Sequence, residues 1–442
     1  MTEDGDDMDA RRVLFVTYEF PPRGGPGVQR PLKLTKYLPD AGWVPTVLTV
    51  RDPVTAIRDE TLLAEVPESV EIVRAWSLEP NRVVRLFRTL TGQPEAGTNG
   101  ATATSLTRLA PSQVRKIQRW FVPDEKRFWK PFAMRHVARL AKRLHFDAVI
   151  SSGPPNTAHL VGLDASRRLG VPFIADFRDP WVGGLLFDPP TRLHRQLHLR
   201  QEAAVIRGAA AVVTVTARDS NSFAERYGDG HKFVTIANGF DPADLPNRRP
   251  APHARTRIAH VGTLGPFRSP EPFLRGLYEA ESRDRHLSQE VELTFVGSGR
   301  EVEAMAGEIG IDTPVRCTGY VDHATALREL ADADVALLIL SPGLESEVTL
   351  AAKVFEYLGL RKPILAVAGE GEVRRVLRGQ AGIWFADPES VGEIADAILG
   401  MVVSARLGGL ERPHEEFVAQ FDRRKQAARY AELLDSVVSE HA

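Results

Sequence analysis

The feature that most constrains this chain is an alternation of short apolar runs with helix-compatible segments, which occurs once, stops, and begins again. Residues 13–17 (VLFVT) are β-branched and aromatic; a glycine-rich loop follows from Tyr18 to Gly27, and a helical pattern runs through Leu38. A second apolar run at residues 46–50 completes a strand-helix-strand unit whose crossover has the length that parallel strands require. The pattern returns at residues 147–151, 173–176 and 211–216, which predicts a doubly wound parallel sheet.

The alternation pauses after Asn238-Gly-Phe-Asp241, where residues 242–256 are rich in proline and arginine and read as a linker. It restarts with strands expected at residues 258–261, 292–296, 315–318, 335–340 and 363–368. Helices are expected near residues 270–281, 300–309, 324–331 and 351–358. The region 413–438 carries Phe417, Phe421, Tyr430, Leu433 and Leu434 at the spacing of a helix that packs onto something. The expected class is therefore α/β, with an acidic, disordered tail at 1–10, a first domain at 11–241, the linker at 242–256, a second domain at 257–411 and a C-terminal helical segment at 412–442.

Bulk properties exclude several function classes. With 43% hydrophobic and 26% charged residues the chain is neither disordered nor membrane-embedded, and a formal charge of −2 argues against nucleic acid as a partner. A single cysteine, Cys317, allows no internal disulfide and no thiol metal cluster, so the expected location is the cytoplasm. No apolar stretch approaches the roughly 20 residues that span a bilayer, which leaves peripheral contact at the inner face of the plasma membrane as the expected form of any membrane association.

Loops after strands are where open α/β sheets place their chemistry. Gly24 and Gly25 lie in one such loop, where backbone amides and the following helix N-terminus suit an anion, though a simple tight turn has the same composition. The dinucleotide pattern of glycines is absent there, and Gly297-Ser-Gly299 lacks its third glycine, so hydride transfer is demoted. In the run ending at Trp181, Asp176, Arg178 and Asp179 could orient a sugar hydroxyl or a leaving group, or could form a structural ion pair. Arg268 follows the loop that opens at Gly262, and Lys353 and Glu356, three apart, share one helix face. Arg and Lys dominate residues 108–142, with Trp120, Phe121, Phe128, Trp129 and Phe132 interleaved, and residues 94–110 read as a mobile loop. The basic stretch fits either an anionic lipid surface or ordinary amphipathic helices.

At these residues the sequence resembles the family 4 retaining glycosyltransferases. The resemblance is carried by Phe20-Pro-Pro22, Gly24-Gly25, Ser152-Gly-Pro-Pro155, the segment 175–181 (ADFRDPW), Asn238-Gly-Phe-Asp241, Val261-Gly-Thr-Leu264, Val296-Gly-Ser-Gly299, Gly319-Tyr-Val321 and Lys353-Val-Phe-Glu-Tyr357. It implies the GT-B fold: two Rossmann-like domains facing each other across a cleft, with the C-terminal helix crossing back to the first. It also implies a nucleoside-diphosphate sugar as donor, held by Gly24, Gly25, Thr263, Arg268, Gly299, Tyr320, Val321, Lys353 and Glu356. Arg268 stands where the family has a diphosphate-neutralising lysine, Glu356 matches the carboxylate that takes the ribose hydroxyls, and Tyr320 and Val321 match the stretch along the nucleobase.

The sequence departs from the family pattern at three positions. Val348 replaces the first glutamate of the paired-glutamate motif, Thr263 replaces an arginine, and Arg178 occupies a position that is often histidine, with Asp179 beside it and His159 in another strand-following segment. The resemblance implies catalysis without metal, cofactor or protein nucleophile, acting on an acceptor hydroxyl of a small molecule or a lipid-linked molecule in polysaccharide, glycolipid or secondary-metabolite biosynthesis. A UDP-sugar epimerase on the same scaffold and a non-catalytic binding descendant are the rival readings.

Overall fold

The computed structural model describes residues 11–51, 58–78, 119–184, 187–246, 253–262, 264, 268–343, 347–348, 350–407 and 409–441. It divides into two units, the first running to Ala237 and resuming at Arg424, the second spanning Asn238–Arg423. Each unit is built on one parallel sheet.

The first sheet has seven strands: β1 (Arg11–Thr17), β2 (Trp43–Val50), β3 (Glu71–Ala75), β4 (Ala148–Gly153), β5 (Phe173–Phe177), β6 (Ala211–Thr214) and β7 (Phe233–Thr235), in the order β3-β2-β1-β4-β5-β6-β7. Its central strands are buried along most of their length because helices cover both faces, which is why they read as continuous apolar runs. Those helices are α1 (Pro26–Tyr37), α2 (Lys130–Leu140), α3 (Thr157–Leu169), α4 (Arg192–Gly208) and α5 (Ala217–Tyr227). Their ends carry the expected chemistry: Pro26 opens α1, Gly170 closes α3 in the left-handed region, and the Thr191 and Thr216 side chains cap α4 and α5.

The second sheet has six strands: β8 (Thr256–Val261), β9 (Val291–Val296), β10 (Val315–Gly319), β11 (Val335–Ile339), β12 (Ile364–Val367) and β13 (Ile383–Ala386), in the order β10-β9-β8-β11-β12-β13. It is flanked by α6 (Glu271–Arg283), α7 (Glu301–Ile309), α8 (His323–Asp332), α9 (Lys353–Gly359), α10 (Glu372–Leu377) and α11 (Val391–Arg406). The expected strands are present within a few residues of their expected limits. Three strands, β3, β7 and β13, went unread. Each lies at a sheet edge, is only three to five residues long and is not fully buried, so none carries the long buried run that marks the central strands.

The C-terminal helix α12 (Arg423–His441) belongs to the first unit, as expected. Ala427, Tyr430, Leu434 and Val437 join a core with Val13, Phe15, Leu34, Trp43 and Ile150, and the Trp43 indole donates to Asp435 at 3.0 Å. The segment Asn238–Asp241 falls in the second unit rather than closing the first. Phe240 N donates to Phe421 O and Arg423 N donates to Phe240 O, both at 3.0 Å, so two distant stretches of chain pair backbone to backbone there.

Of the basic, aromatic stretch at 108–142, residues 108–118 lie outside the described residues, as does the whole of 94–110. In the remainder the aromatics divide. Trp129 is fully buried and Phe132 packs against the first core, whereas Trp120 is 58% and Phe128 38% exposed. Among the described residues no helix is long and apolar enough to cross a membrane.

Candidate active site

Strand order locates the crevices. In each sheet the order reverses direction once, between β1 and β4 in the first unit and between β8 and β11 in the second, and ligands of doubly wound sheets bind outside the carboxyl ends of such a pair.

At the first reversal Arg178 ties the first turn of α1, which follows the loop after β1, to the end of β4 and the loop after it. Its backbone N–H donates to Gly153 O at 2.9 Å, its Nε donates to the same oxygen at 3.2 Å, and its two terminal nitrogens donate to Gly27 O and Pro154 O. The arginine is thus a staple between these segments. Gly25 precedes α1 with φ 101°, a conformation open to glycine and strained for other residues, and Gly24 sits beside it in the same loop. Asp179 is exposed at the end of β5, the one carboxylate of its segment that faces solvent.

The other two candidates in this unit are corrected by the structure. Asp176 has no exposed surface and both of its oxygens are occupied. Arg30 reaches them at 2.9–3.1 Å, the Tyr430 hydroxyl donates to one at 2.7 Å, and the Ser152 hydroxyl donates to the other at 2.7 Å. Burial alone would raise this carboxyl, but the Arg30 guanidinium and the two hydroxyls more than offset it and hold the group below the usual carboxylate range. Asp176 is therefore the structural ion pair, not a sugar contact. His159 is also fully buried; its Nδ1 lies 2.8 Å from the Ser151 hydroxyl, its ring stacks on Phe177, and burial pushes it down to about 3, so it is neutral. It packs behind the loop after β4 rather than in it.

Residues that had not been singled out hold the Asp179 loop. The Trp181 indole donates to His198 Nδ1 at 2.9 Å, and Val182 N donates to buried Glu202 at 2.7 Å, which also accepts from Arg226 and from the Tyr227 hydroxyl. These residues come from helices 17–45 positions away, so no local pattern could reveal them.

At the second reversal, β8 stays paired with β9 through Val261 but leaves β11 after Ala259. The Leu337 carbonyl, beyond the last β8–β11 pair, instead accepts from His260 Nδ1 at 3.0 Å and from the Tyr357 hydroxyl at 3.2 Å. Lys353, at the start of α9, places its Nζ 3.3 Å from His260 Nε2. Gly262, with φ 116°, makes room for it: a Cβ there would lie 2.9 Å from Lys353 Nζ. Arg268 is within electrostatic reach of both His260 and Tyr357.

Glu356, one turn into α9, has its side chain 28% exposed. Burial raises its carboxyl, opposed by His323 and Lys353, and His323 Nε2 lies 3.8 Å from it. Gly319 ends β10 and Tyr320 and Val321 follow it, with Tyr320 82% exposed. The amide of Gly299 is already taken by Glu301 at 3.0 Å, which makes that loop a poorer anion cradle than its glycines suggest. Thr263 lies outside the described residues; Val348 is half-buried.

Two family models match the chain one after the other: Glycosyltransferase Family 4 over residues 29–244 and Glycosyl transferases group 1 over residues 255–403. Comparison with curated proteins found none that matches. Solved structures of similar fold include HepE from Anabaena in complex with UDP and glucose, at 16% identity and TM-score 0.60, covering 96% of this chain and 100% of that one. They also include the α,α-trehalose 6-phosphate synthase from Burkholderia multivorans, at 16% identity and TM-score 0.59, covering 97% of each chain. The lipopolysaccharide outer core galactosyltransferase WaaB is similar at 12% identity and TM-score 0.57, covering 95% of this chain and 99% of that one. With both sheets, the returning C-terminal helix and the two adjoining family matches in place, the chain belongs to the family 4, group 1 glycosyltransferases of the GT-B fold.

Proposed function

We propose that this glycosyltransferase moves a sugar, with retention of configuration, from a nucleoside-diphosphate sugar to an acceptor hydroxyl. The observation that carries the reading is the gathering of Lys353, Arg268 and half-buried Glu356 at the carboxyl ends of β8 and β11, where two cations suit a diphosphate and a carboxylate suits ribose hydroxyls. Tyr320 and Val321 lie along the base, and Gly24 and Gly25 offer amides to an anionic group at the first unit's strand ends. The acceptor oxygen bonds to the anomeric carbon as the bond from that carbon to the diphosphate breaks, and the departing diphosphate oxygen takes the hydroxyl proton on the same face. No metal or cofactor enters the step. Stabilisation of the diphosphate by Arg268 and Lys353 is the main catalytic contribution, and Asp179 orients the acceptor.

HepE has been solved with UDP, so UDP is the first nucleotide to test, beside GDP and dTDP. Calorimetry is expected to detect binding of one of them, and Arg268→Ala or Glu356→Ala is expected to weaken it by about tenfold or more, the worth of one charge-assisted hydrogen bond. Asp179→Asn leaves nucleotide affinity in place and lowers turnover. A wild-type protein that binds none of the three, or an Arg268→Ala variant of unchanged affinity, refutes the donor assignment.

For the acceptor, the exposed Trp120 and Phe128, with Arg127 beside Phe128, support a cytoplasmic, peripheral contact with anionic lipid that presents a lipid-linked acceptor. Sedimentation with vesicles containing anionic lipid is expected to carry the protein down at low salt and to fail with Trp120→Ala/Phe128→Ala. Equal recovery with zwitterionic vesicles refutes the contact.

A further inference from the structure

We infer that His260 is a positioning residue for the donor site: a buried, neutral imidazole that accepts a hydrogen bond from Lys353 and so holds that ammonium over the point where β8 and β11 part. The inference rests on the reading of Lys353 as a diphosphate contact and adds a residue that touches no substrate itself.

The tautomer follows from the partners. His260 Nδ1 faces the Leu337 carbonyl at 3.0 Å, and a carbonyl only accepts, so Nδ1 carries the proton. The ring has no exposed surface, and burial together with the charges of Lys353 and Arg268 pushes its pKa well below the ordinary histidine value. A neutral ring protonated at Nδ1 has a bare Nε2, and that lone pair faces Lys353 Nζ at 3.3 Å. Three further features make this an assembled support. Gly262 leaves the ammonium its space, since a Cβ there would approach Nζ to 2.9 Å. Tyr357 donates to the same Leu337 carbonyl and accepts from Val261 N, bridging the gap between the strands from the other side. Finally, β8–β11 pairing ends at Ala259, one residue before His260, so the imidazole occupies the position where the ladder opens. A neutral acceptor orients a lysine without cancelling its charge, whereas a carboxylate at the same place would compete with the diphosphate.

Two substitutions separate the roles of the two ring nitrogens. Glutamine places an amide oxygen near the position of Nε2 and keeps the acceptor for Lys353; asparagine places its amide nitrogen near Nδ1, keeps the donor to Leu337 and loses that acceptor. His260→Asn is expected to weaken nucleoside-diphosphate binding by about tenfold, as Lys353→Ala does, while His260→Gln stays within about twofold of wild type. Thermal unfolding of both variants serves as the control for folding. In the ¹⁵N spectrum of the histidine-labelled full chain, His260 is expected to show a protonated Nδ1 and a bare Nε2 from pH 5 to 8, with an Nε2 resonance that moves on Lys353→Ala. Lys353→Ala with unchanged nucleotide affinity refutes the donor reading, and the nitrogen spectrum then still decides the Lys353–His260 contact. Equal losses in His260→Asn and His260→Gln at matched thermal stability, an imidazolium at pH 7, or an Nε2 resonance indifferent to Lys353 overturns the positioning role.

Discussion

Asp176→Ala is expected to destabilise the first unit by about 3–5 kcal/mol, the cost of leaving a buried charge without its partner. The charge is Arg30, 2% exposed, whose guanidinium lies on Asp176 and also donates to the backbone oxygens of Ile236 and Ala237 at 2.9 Å. Stabilities of single domains are on the order of 5–15 kcal/mol, so a loss of this size moves the urea midpoint of the first unit far down with little change in slope. Tyr430→Phe, which removes one neutral donor from the same cluster, is expected to cost about 1–3 kcal/mol. The double replacement Arg30→Met/Asp176→Leu is expected to recover most of the loss, because neither charge is then left alone. If Asp176 instead contacted the sugar, Asp176→Ala would unfold like wild type and fail only in turnover; that outcome sinks the structural assignment. The cluster also explains why the chain returns to its first unit: Tyr430 brings α12 to the end of the sheet where the unit's first stretch terminates at Ala237.

Mild acid is expected to weaken the first unit through His159. Its folded-state pKa is about 3 and its unfolded value about 6.5, so between these the unfolded chain binds the extra proton. Stability is therefore fully present above about pH 6.5 and is lost as the pH falls toward 3. Integrated to pH 5, the loss is about 2 kcal/mol for this one group. Carboxylates add their own dependence, so the measurement is a difference: the drop in unfolding free energy from pH 7.5 to pH 5 is expected to be about 2 kcal/mol smaller in His159→Gln than in wild type. Equal drops in the two proteins would mean that His159 takes up its proton in the folded state. The environment leaves that proton little accommodation, since Nε2 has no hydrogen-bond partner, the ring stacks on Phe177, and the Cα of Gly153 packs so closely that a Cβ there would come within 2.5 Å of Nε2.

How far the site was legible depends on where each partner comes from. Arg268 stood out because it follows a strand-end loop, Lys353 and Glu356 because they share one helix face, and all three because they stand at positions of the family pattern. Asp176 and His159 occupy similar positions in sequence, one at the end of a strand and one just after another, and still face inward. Nothing local distinguishes them, because the residues that bury them, Arg30 and Tyr430 for the carboxylate and Phe177 for the imidazole, lie between 18 and 254 positions away. His260 escapes notice for a related reason: inside the run at 258–261 it reads as one polar interruption of an apolar strand, and its partners Leu337 and Lys353 lie on β11 and α9.

What the amino-acid order determined by itself was the architecture: two series of apolar runs and amphipathic segments can bury their faces only as two covered parallel sheets, and a spaced apolar C-terminal segment must find a core. What only the tertiary structure decided was which polar groups at the strand ends face solvent and which are consumed in holding the loops. Burial and hydrogen-bond satisfaction are properties of neighbours in space. The same carboxylate is a reactive group when its lone pairs face a crevice and a structural tie when Arg30, Tyr430 and Ser152 occupy them.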